Sequence, residues 1–190
     1  YSNAEYPAAF VPDTYEFYWT APASDIVGLL VAHRNSVWTP ERLKKAEAKG
    51  LTPVQVATVA SIVEEETVKA DERPKVAALY LNRLKKGMKL QADPTVKYAI
   101  GDFSLRRITG RHLAVESPYN TYRIAGLPPG PIRIPELSAI DAVLDAPATD
   151  NLYMCAREDF SGYHNFTSSY ARHLENARRY QAALDRRGIK

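Results

Sequence analysis

The sequence predicts an α+β fold, predominantly helical, formed by a single domain with one small β-hairpin. Three observations lead to this class. Several helix starts carry a capping residue followed by proline, apolar residues recur with a helical period, and only two short strand-like runs occur. A chain of 190 residues is long enough for one domain with a well-packed core.

The helices are predicted from their starts and from their apolar spacing. Thr52 and Pro53 give the strongest start, because Gln55 completes a capping box there. Gly87 is expected to end the helix that precedes it, since glycine adopts the left-handed conformation that closes many helices. The predicted helices cover residues 24–35, 40–50, 72–86, 135–145 and 168–186, with two further helices that open at Thr52-Pro53 and Asp93-Pro94.

The strand signals lie near the carboxyl end of the chain. Residues 152–156 and 163–167 are strand-like and flank a polar turn, which predicts a hairpin. Residues 119–125 are predicted to be extended. The Gly- and Pro-rich run 126–131 cannot be helical, because proline lacks the amide hydrogen and clashes with the preceding turn.

Composition excludes several classes of protein. Hydrophobic residues make up 45% and charged residues 25%, as in a soluble globular domain, and no apolar run approaches the ~20 residues that span a bilayer. A net charge of +3 with scattered basic residues gives no argument for nucleic acid. The single Cys155 excludes a disulfide within the chain and is expected to be a small core residue. Residues 1–4 look like the remnant of a cloning tag, so the domain is expected to cover residues 5–190.

Three consecutive carboxylates, Glu64, Glu65 and Glu66, end a strongly apolar helix. Burial and a neighbouring negative charge both favour the protonated form of a carboxyl group, which can then act as a general acid near neutral pH. At 100° per residue, Glu65 points away from the apolar stripe and can pair with Lys69. Glu64 and Glu66 fall roughly 80° to either side of the stripe. Helical periodicity therefore leaves both as candidates.

A set of short motifs in a fixed order distinguishes between them. The chain resembles the MltG (YceG-like) family of endolytic murein transglycosylases over nearly its whole length, from about residue 5. The segments that carry this resemblance are residues 11–15, 60–67, 82–84, 90–96, 119–122, 126–132 and 162–166.

The resemblance implies a single lysozyme-like catalytic domain whose catalytic acid is Glu66, the second glutamate of a Glu-x-Glu-Thr unit. It implies cleavage of the β-1,4 bond between N-acetylmuramic acid and N-acetylglucosamine, with formation of 1,6-anhydro ends. One carboxyl group suffices for this reaction because the nucleophile belongs to the substrate. Glu64 is then left to supporting electrostatics or to structure. No cofactor or metal is implied.

The resemblance also implies a location and partners. Family members carry a membrane-spanning helix and a LysM-like region ahead of the catalytic domain, and both are expected to be missing here. The protein would then be a single-pass inner-membrane protein of the bacterial envelope with its catalytic domain outside the cytoplasm. Its partners would be peptidoglycan glycan strands, whose length it would limit, and cell-wall synthases. Two alternatives stay open, a non-catalytic peptidoglycan-binding domain and a hydrolytic muramidase.

Polar residues within the family motifs are the candidates for substrate binding. They are Gln91, Asp93, Asn120 and Tyr122, together with Glu64. Each of the first four also has a structural alternative, such as Asp93 as a helix cap, Asn120 as a turn residue and Tyr122 as a core aromatic residue, and Gln91 is the one most favoured for substrate. His164 and His173 do not have the spacing of a compact metal motif, so a structural or substrate-edge role is expected for them.

Overall fold

The computed structural model describes residues 1–105 and 108–188. This part of the chain contains a short 3-10 helix (Tyr6–Ala9), eight α-helices and one two-stranded sheet. The fold class predicted from the sequence is confirmed. The elements are α1 (Ala23–Val37), α2 (Pro40–Ala48), α3 (Pro53–Glu66), α4 (Arg73–Lys85), α5 (Asp93–Ile100), α6 (Gly110–Leu113), α7 (Leu137–Leu144), β1 (Tyr153–Ala156), β2 (His164–Thr167) and α8 (Tyr170–Arg186).

The predicted helix caps are largely confirmed. Thr39 accepts a hydrogen bond from the amide of Arg42, and Thr52 and Gln55 form the reciprocal capping box. The helix after Pro135 is the exception, since α7 begins two residues later with Glu136 as its cap. Asp93 is likewise the first residue of α5 rather than its cap.

Helix α3 lies at the centre of the fold. Its residues from Val56 to Glu64 are all buried, and the helix packs against α4, α5 and α7. The apolar cluster around it includes Ile62, Leu79 and Ile140. Because α3 is enclosed along most of its length, its last residue, Glu66, is held at a fixed depth in the molecule.

The hairpin is confirmed, and it covers one end of the helical core. Strands β1 and β2 are antiparallel, with Tyr153 opposite Thr167 and Ala156 opposite His164. An isolated two-stranded hairpin is marginally stable in water, and here α8 packs against both strands. The hairpin is therefore fixed in place by the helix that follows it.

Residues 119–125 are not extended, contrary to the prediction from the sequence. They form successive turns in which the amides of Arg123 and Ile124 donate to the carbonyl of Asn120. The side chain of Asn120 accepts from the amide of Tyr122, so it forms a local turn that competes with an extended chain. The Gly- and Pro-rich run after it is non-helical, as predicted.

Gly130 is in close contact with the amino-terminal segment. A Cβ at this position would lie 1.9 Å from the carbonyl oxygen of Ala4, which is a backbone atom that cannot rotate away. The 3-10 helix that follows this contact buries Ala8 and Ala9. The boundary at residue 5 stays a prediction.

We expect Gly130→Ala to destabilise the protein by about 1–3 kcal/mol, the usual cost of overpacking, as measured by urea unfolding. Gly28→Ala is the matched control, because its Cβ would meet no atom within 4 Å. That control should be neutral or slightly stabilising, since alanine favours helix over glycine. Equal stability of Gly130→Ala and the unmodified protein would show that the amino-terminal contact is not tight.

Candidate active site

A cavity of about 210 Å³ opens at the carboxyl end of α3, between α4, the start of α5 and the hairpin. Wider concavities exist elsewhere on the surface, including one of about 910 Å³ beside α2 and α4. The smaller cavity is the one that contains Glu66, and it also gathers several polar groups that are distant in sequence. The polar residues that line it are Glu66, Tyr80, Arg83, Gln91, Asp93, Tyr122, Cys155 and His164.

Glu66 is partly exposed, so its carboxyl group is accessible from the cavity while protein atoms surround it on other sides. The hydroxyl of the buried Tyr80 donates to its Oε1 at 2.5 Å. Burial raises the pKa of Glu66 from 4.5 to about 7, although the hydrogen bond from Tyr80 acts in the opposite direction. The negative charge of Asp93 raises this pKa further, and the positive charge of Arg83 lowers it. A carboxyl group with this pKa can donate and recover a proton near neutral pH.

Arg83 lines the cavity and is only 8% exposed. Its Nε donates to the carbonyl of Leu152 at 2.7 Å, and its Nη1 donates to the carbonyl of Leu90 at 2.5 Å. Within residues 1–105 and 108–188 it forms no ion pair with a carboxylate. The guanidinium therefore joins α4 to the hairpin and leaves an uncompensated positive charge beside Glu66.

Gln91, Asp93 and Tyr122 form one wall. Gln91 has a φ of 52°, which is uncommon for a residue other than glycine, and its exposed side chain has no hydrogen-bond partner among the described residues. The hydroxyl of Tyr122 donates to Oδ1 of Asp93 at 2.5 Å. Burial, followed by this bond to Asp93, raises the pKa of Tyr122. The structure therefore brings three of the predicted substrate-binding residues together with Glu66.

Two predicted substrate-binding residues lie outside the cavity. Asn120 has no exposed surface, and its amide donates to the carbonyls of Leu113 and Val115, so it holds a loop and cannot contact a substrate. Glu64 is also buried, and it accepts from the amide of Glu136 at 2.8 Å and pairs with Arg133 at 3.2 Å. Both residues are assigned to structure.

Glu65 is exposed, as predicted, but its partner is different. Helix α3 ends at Glu66, so Lys69 does not lie one turn further along the same helix. Glu65 pairs instead with Arg133 at 2.5 Å. The negative neighbour that raises the pKa of Glu66, after burial as the larger cause, is Asp93. Cys155 is also corrected, since it is partly exposed and lines the cavity rather than filling the core.

Glu72 and Tyr80 are two residues of the site that were not predicted. Glu72 is 3% exposed and accepts hydrogen bonds from the backbone amide of His164 at 2.7 Å and from Thr67 Oγ1 at 3.2 Å. Its Oε2 also lies 2.7 Å from Nδ1 of His164. Two signals in the sequence were available. Glu72 stands at a helix start and Tyr80 lies within an apolar stripe, and the polar groups of both side chains need hydrogen-bond partners when they are buried.

The chain is similar to several known proteins. The model of the YceG-like family matches residues 2–179. The chain belongs to the YceG-like family. A YceG-like protein from Listeria monocytogenes, known from a 2.6 Å crystal structure, has a TM-score of 0.77 and 33% identity, over 88% of this chain and 54% of that one.

Two curated relatives of this YceG-like chain are named endolytic murein transglycosylase. The protein from Bacillus subtilis (strain 168) is 38% identical over 157 residues, which are 82% of this chain and 42% of the relative. The one from Streptococcus pneumoniae serotype 2 (strain D39 / NCTC 7466) is 32% identical over 149 residues, 76% of this chain and 27% of the relative. The chain thus spans less than half the length of these two relatives.

Residues 1–105 and 108–188 contain no group of three His, Cys, Asp or Glu side chains arranged to bind a metal ion. No helix in the same part of the chain has the length and apolarity of a bilayer-crossing segment.

Proposed function

We propose that the protein is an endolytic lytic transglycosylase, which cleaves the β-1,4 bond between N-acetylmuramic acid and N-acetylglucosamine within peptidoglycan strands. The observation that carries the proposal is a single carboxyl group, Glu66, whose pKa is raised to about 7 inside a polar cavity. Its two curated relatives bear the name of this activity.

The first step is protonation of the bond that breaks. Near neutral pH, Glu66 retains its proton in a substantial fraction of molecules because burial disfavours the carboxylate. It donates that proton to the glycosidic oxygen while positive charge develops at the anomeric carbon. The carboxylate that results is stabilised by the hydroxyl of Tyr80 and by the charge of Arg83.

The second step closes a ring within the substrate. The carboxylate of Glu66 takes the proton of the C6 hydroxyl of the muramic acid, whose oxygen bonds to the anomeric carbon. A 1,6-anhydro end forms, the new glucosamine end leaves, and Glu66 has recovered its proton. No water molecule is consumed, so no second carboxylate is required to activate one.

Tyr80 should set the pH range of this cycle. Its hydrogen bond lowers the pKa of Glu66, so we expect Tyr80→Phe to move the alkaline limb of the pH–kcat/KM profile upward by about one pH unit. Tyr163→Phe is the control, because that hydroxyl contacts Asp71 instead of Glu66. A profile for Tyr80→Phe with an unchanged alkaline midpoint would contradict this role.

The proposal assigns substrate binding to Gln91, Asp93 and Tyr122. Gln91 offers a free amide for the acetamido or hydroxyl groups of a sugar, and its left-handed backbone is the kind of local strain found at binding sites. Asp93 and Tyr122 are already joined to each other, so they present one preformed polar pair.

Mass spectrometry of digested peptidoglycan tests the function. Anhydromuramic ends support the transglycosylase. A hydrolytic muramidase is the second candidate, favoured by the carboxylate of Asp93 in the same cavity, and would give reducing ends. A binding domain without activity would give no product, although the raised pKa of Glu66 supports an enzyme.

We also propose where the enzyme lies in the cell and which process it serves. We place the catalytic domain on the outer side of the inner membrane, in the bacterial envelope, held by a single membrane-spanning segment beyond these residues. There it would limit glycan strand length beside cell-wall synthases. Fractionation of cells that produce the protein tests the location, and the average strand length after deletion of its gene tests the role.

A further inference from the structure

We propose that His164 is a substrate-binding residue whose Nε2 accepts a hydrogen bond from a sugar hydroxyl, and that Glu72 is the positioning residue that orients it. This inference rests on the proposed function, because it assigns a glycan to the cavity. It assigns roles to Glu72 and His164, two residues whose contact the sequence motifs did not predict.

The orientation of the imidazole is fixed from one side. Glu72 is 3% exposed, and its two oxygens face the backbone amide and Nδ1 of His164, each at 2.7 Å. A carboxylate only accepts hydrogen bonds, so the contact with Glu72 selects the tautomer of His164 that carries its proton on Nδ1. In that tautomer the lone pair lies on Nε2, which accepts a hydrogen bond.

The free side of the ring is in the cavity. His164 lines the same space as Glu66, and 16% of its side-chain surface is exposed. Its Nε2 has no hydrogen-bond partner in the described parts of the chain. Among the described residues, the fully buried side-chain polar atoms that have no hydrogen-bond partner are Arg73 Nε and His173 Nδ1. Nε2 of His164 is not one of them. Nε2 therefore keeps accessible surface from which a ligand can be bound.

The same carboxylate connects His164 to the catalytic acid. Thr67 follows Glu66 directly, and its hydroxyl donates to Oε2 of Glu72 at 3.2 Å. The path from Glu66 to His164 thus runs through one covalent step and two hydrogen bonds. This arrangement fixes the hairpin residue relative to the end of α3, as simultaneous binding of one sugar chain by both side chains requires.

A glycan supplies the group that this acceptor needs. Each sugar ring carries hydroxyl donors, and a fixed ring nitrogen discriminates a hydroxyl from a methylene group at the same place. When a ligand displaces water from Nε2 of His164, this atom loses its hydrogen bond to water. A sugar hydroxyl that donates to Nε2 offsets the free-energy cost of that loss.

The test separates binding from cleavage. In the Glu66→Gln protein, which retains the cavity without the acid, we would measure the Kd for soluble, uncrosslinked peptidoglycan glycan strands by calorimetry. His164→Asn in that background keeps a donor at the position of Nδ1 for Glu72 but removes Nε2. We expect Kd to rise about tenfold, as for loss of one hydrogen bond, with the thermal midpoint nearly unchanged. Glu72→Gln should weaken binding as well and should also lower the thermal midpoint, since Glu72 holds the hairpin.

His33→Asn is the matched control, because His33 also pairs with a carboxylate, Asp13 at 3.0 Å, but does not line the cavity. It should leave Kd unchanged. If His164→Asn folds poorly, ¹⁵N resonances of the histidine rings in the Glu66→Gln protein give the same information, since added strands should shift Nε2 of His164 more than Nδ1.

The outcomes keep the two hypotheses apart. If the Glu66→Gln protein binds strands and His164→Asn binds them equally well, or if Nε2 does not shift, the role of His164 is refuted while the proposed function stands. If the unmodified protein neither cleaves nor binds the strands, the proposed function fails and the role of His164 fails with it.

Discussion

Glu66→Gln is expected to lower the rate of glycan cleavage by about a thousandfold, within the 10²–10⁴ range of general acid catalysis. Glutamine has nearly the same shape and can still accept the hydrogen bond from Tyr80, but it has no proton to donate. The measurement is the yield of anhydromuramic ends per unit time, by mass spectrometry.

Glu65→Gln is the matched control, one residue away and with the same chemical change. Glu65 is exposed and pairs with Arg133 on the surface, where an ion pair contributes about 0–1 kcal/mol to stability. It should keep most of the activity. Equal product from the Glu66→Gln enzyme and the unmodified one would remove Glu66 from the mechanism.

Glu66→Gln should also make the protein more stable at alkaline pH than the unmodified protein is. The folded chain holds the proton of Glu66 up to pH about 7, whereas in the unfolded chain it is lost near pH 4.5. Between these values the folded state binds more protons, so the free energy of unfolding falls as the pH rises. The difference corresponds to at most about 3 kcal/mol, which the unmodified protein has lost at pH 8 and the glutamine variant has not.

Urea unfolding at pH 5 and pH 8 measures this effect. The fall in the free energy of unfolding between the two pH values is compared between Glu66→Gln and the unmodified protein. Stability should fall by about 2–3 kcal/mol less in Glu66→Gln than in the unmodified protein between the two pH values. Glu65→Gln should behave like the unmodified protein. An identical fall in all three would mean that Glu66 titrates as an exposed carboxyl group does. A smaller fall in Glu66→Gln would show instead that this carboxyl group lowers stability at alkaline pH, as active-site groups do in other proteins.

Much of the fold followed from local chemistry. Thr52 and Gln55 mark the start of α3, and the period of the apolar residues predicted that Glu64 and Glu66 would lie on opposite flanks of that helix. In the structure Glu64 contacts Glu136 and Arg133, while Glu66 contacts Tyr80. The choice between them required the resemblance to the family, because a helical wheel does not show which flank opens to solvent.

The rest of the site depends on contacts between distant parts of the chain. His164 meets Glu72 across 92 residues, a pairing that arises from the packing of the hairpin and not from any local pattern. Tyr80 belongs to an apolar stripe, and only tertiary structure shows that its hydroxyl reaches Glu66. Asn120 lies outside the cavity for the converse reason, since a residue within a family motif can serve the loop that carries it.

Glu66 is the final residue of α3, a helix of 14 residues. The aligned peptide dipoles of such a helix give its carboxyl end a partial negative charge of roughly half an elementary unit. That field opposes ionisation of Glu66 and attracts any cation that forms in front of it. A sugar ring that becomes positive as its bond breaks would therefore meet a favourable potential from the backbone itself. Ring-nitrogen sugar analogues that carry a positive charge should exploit the same potential as inhibitors.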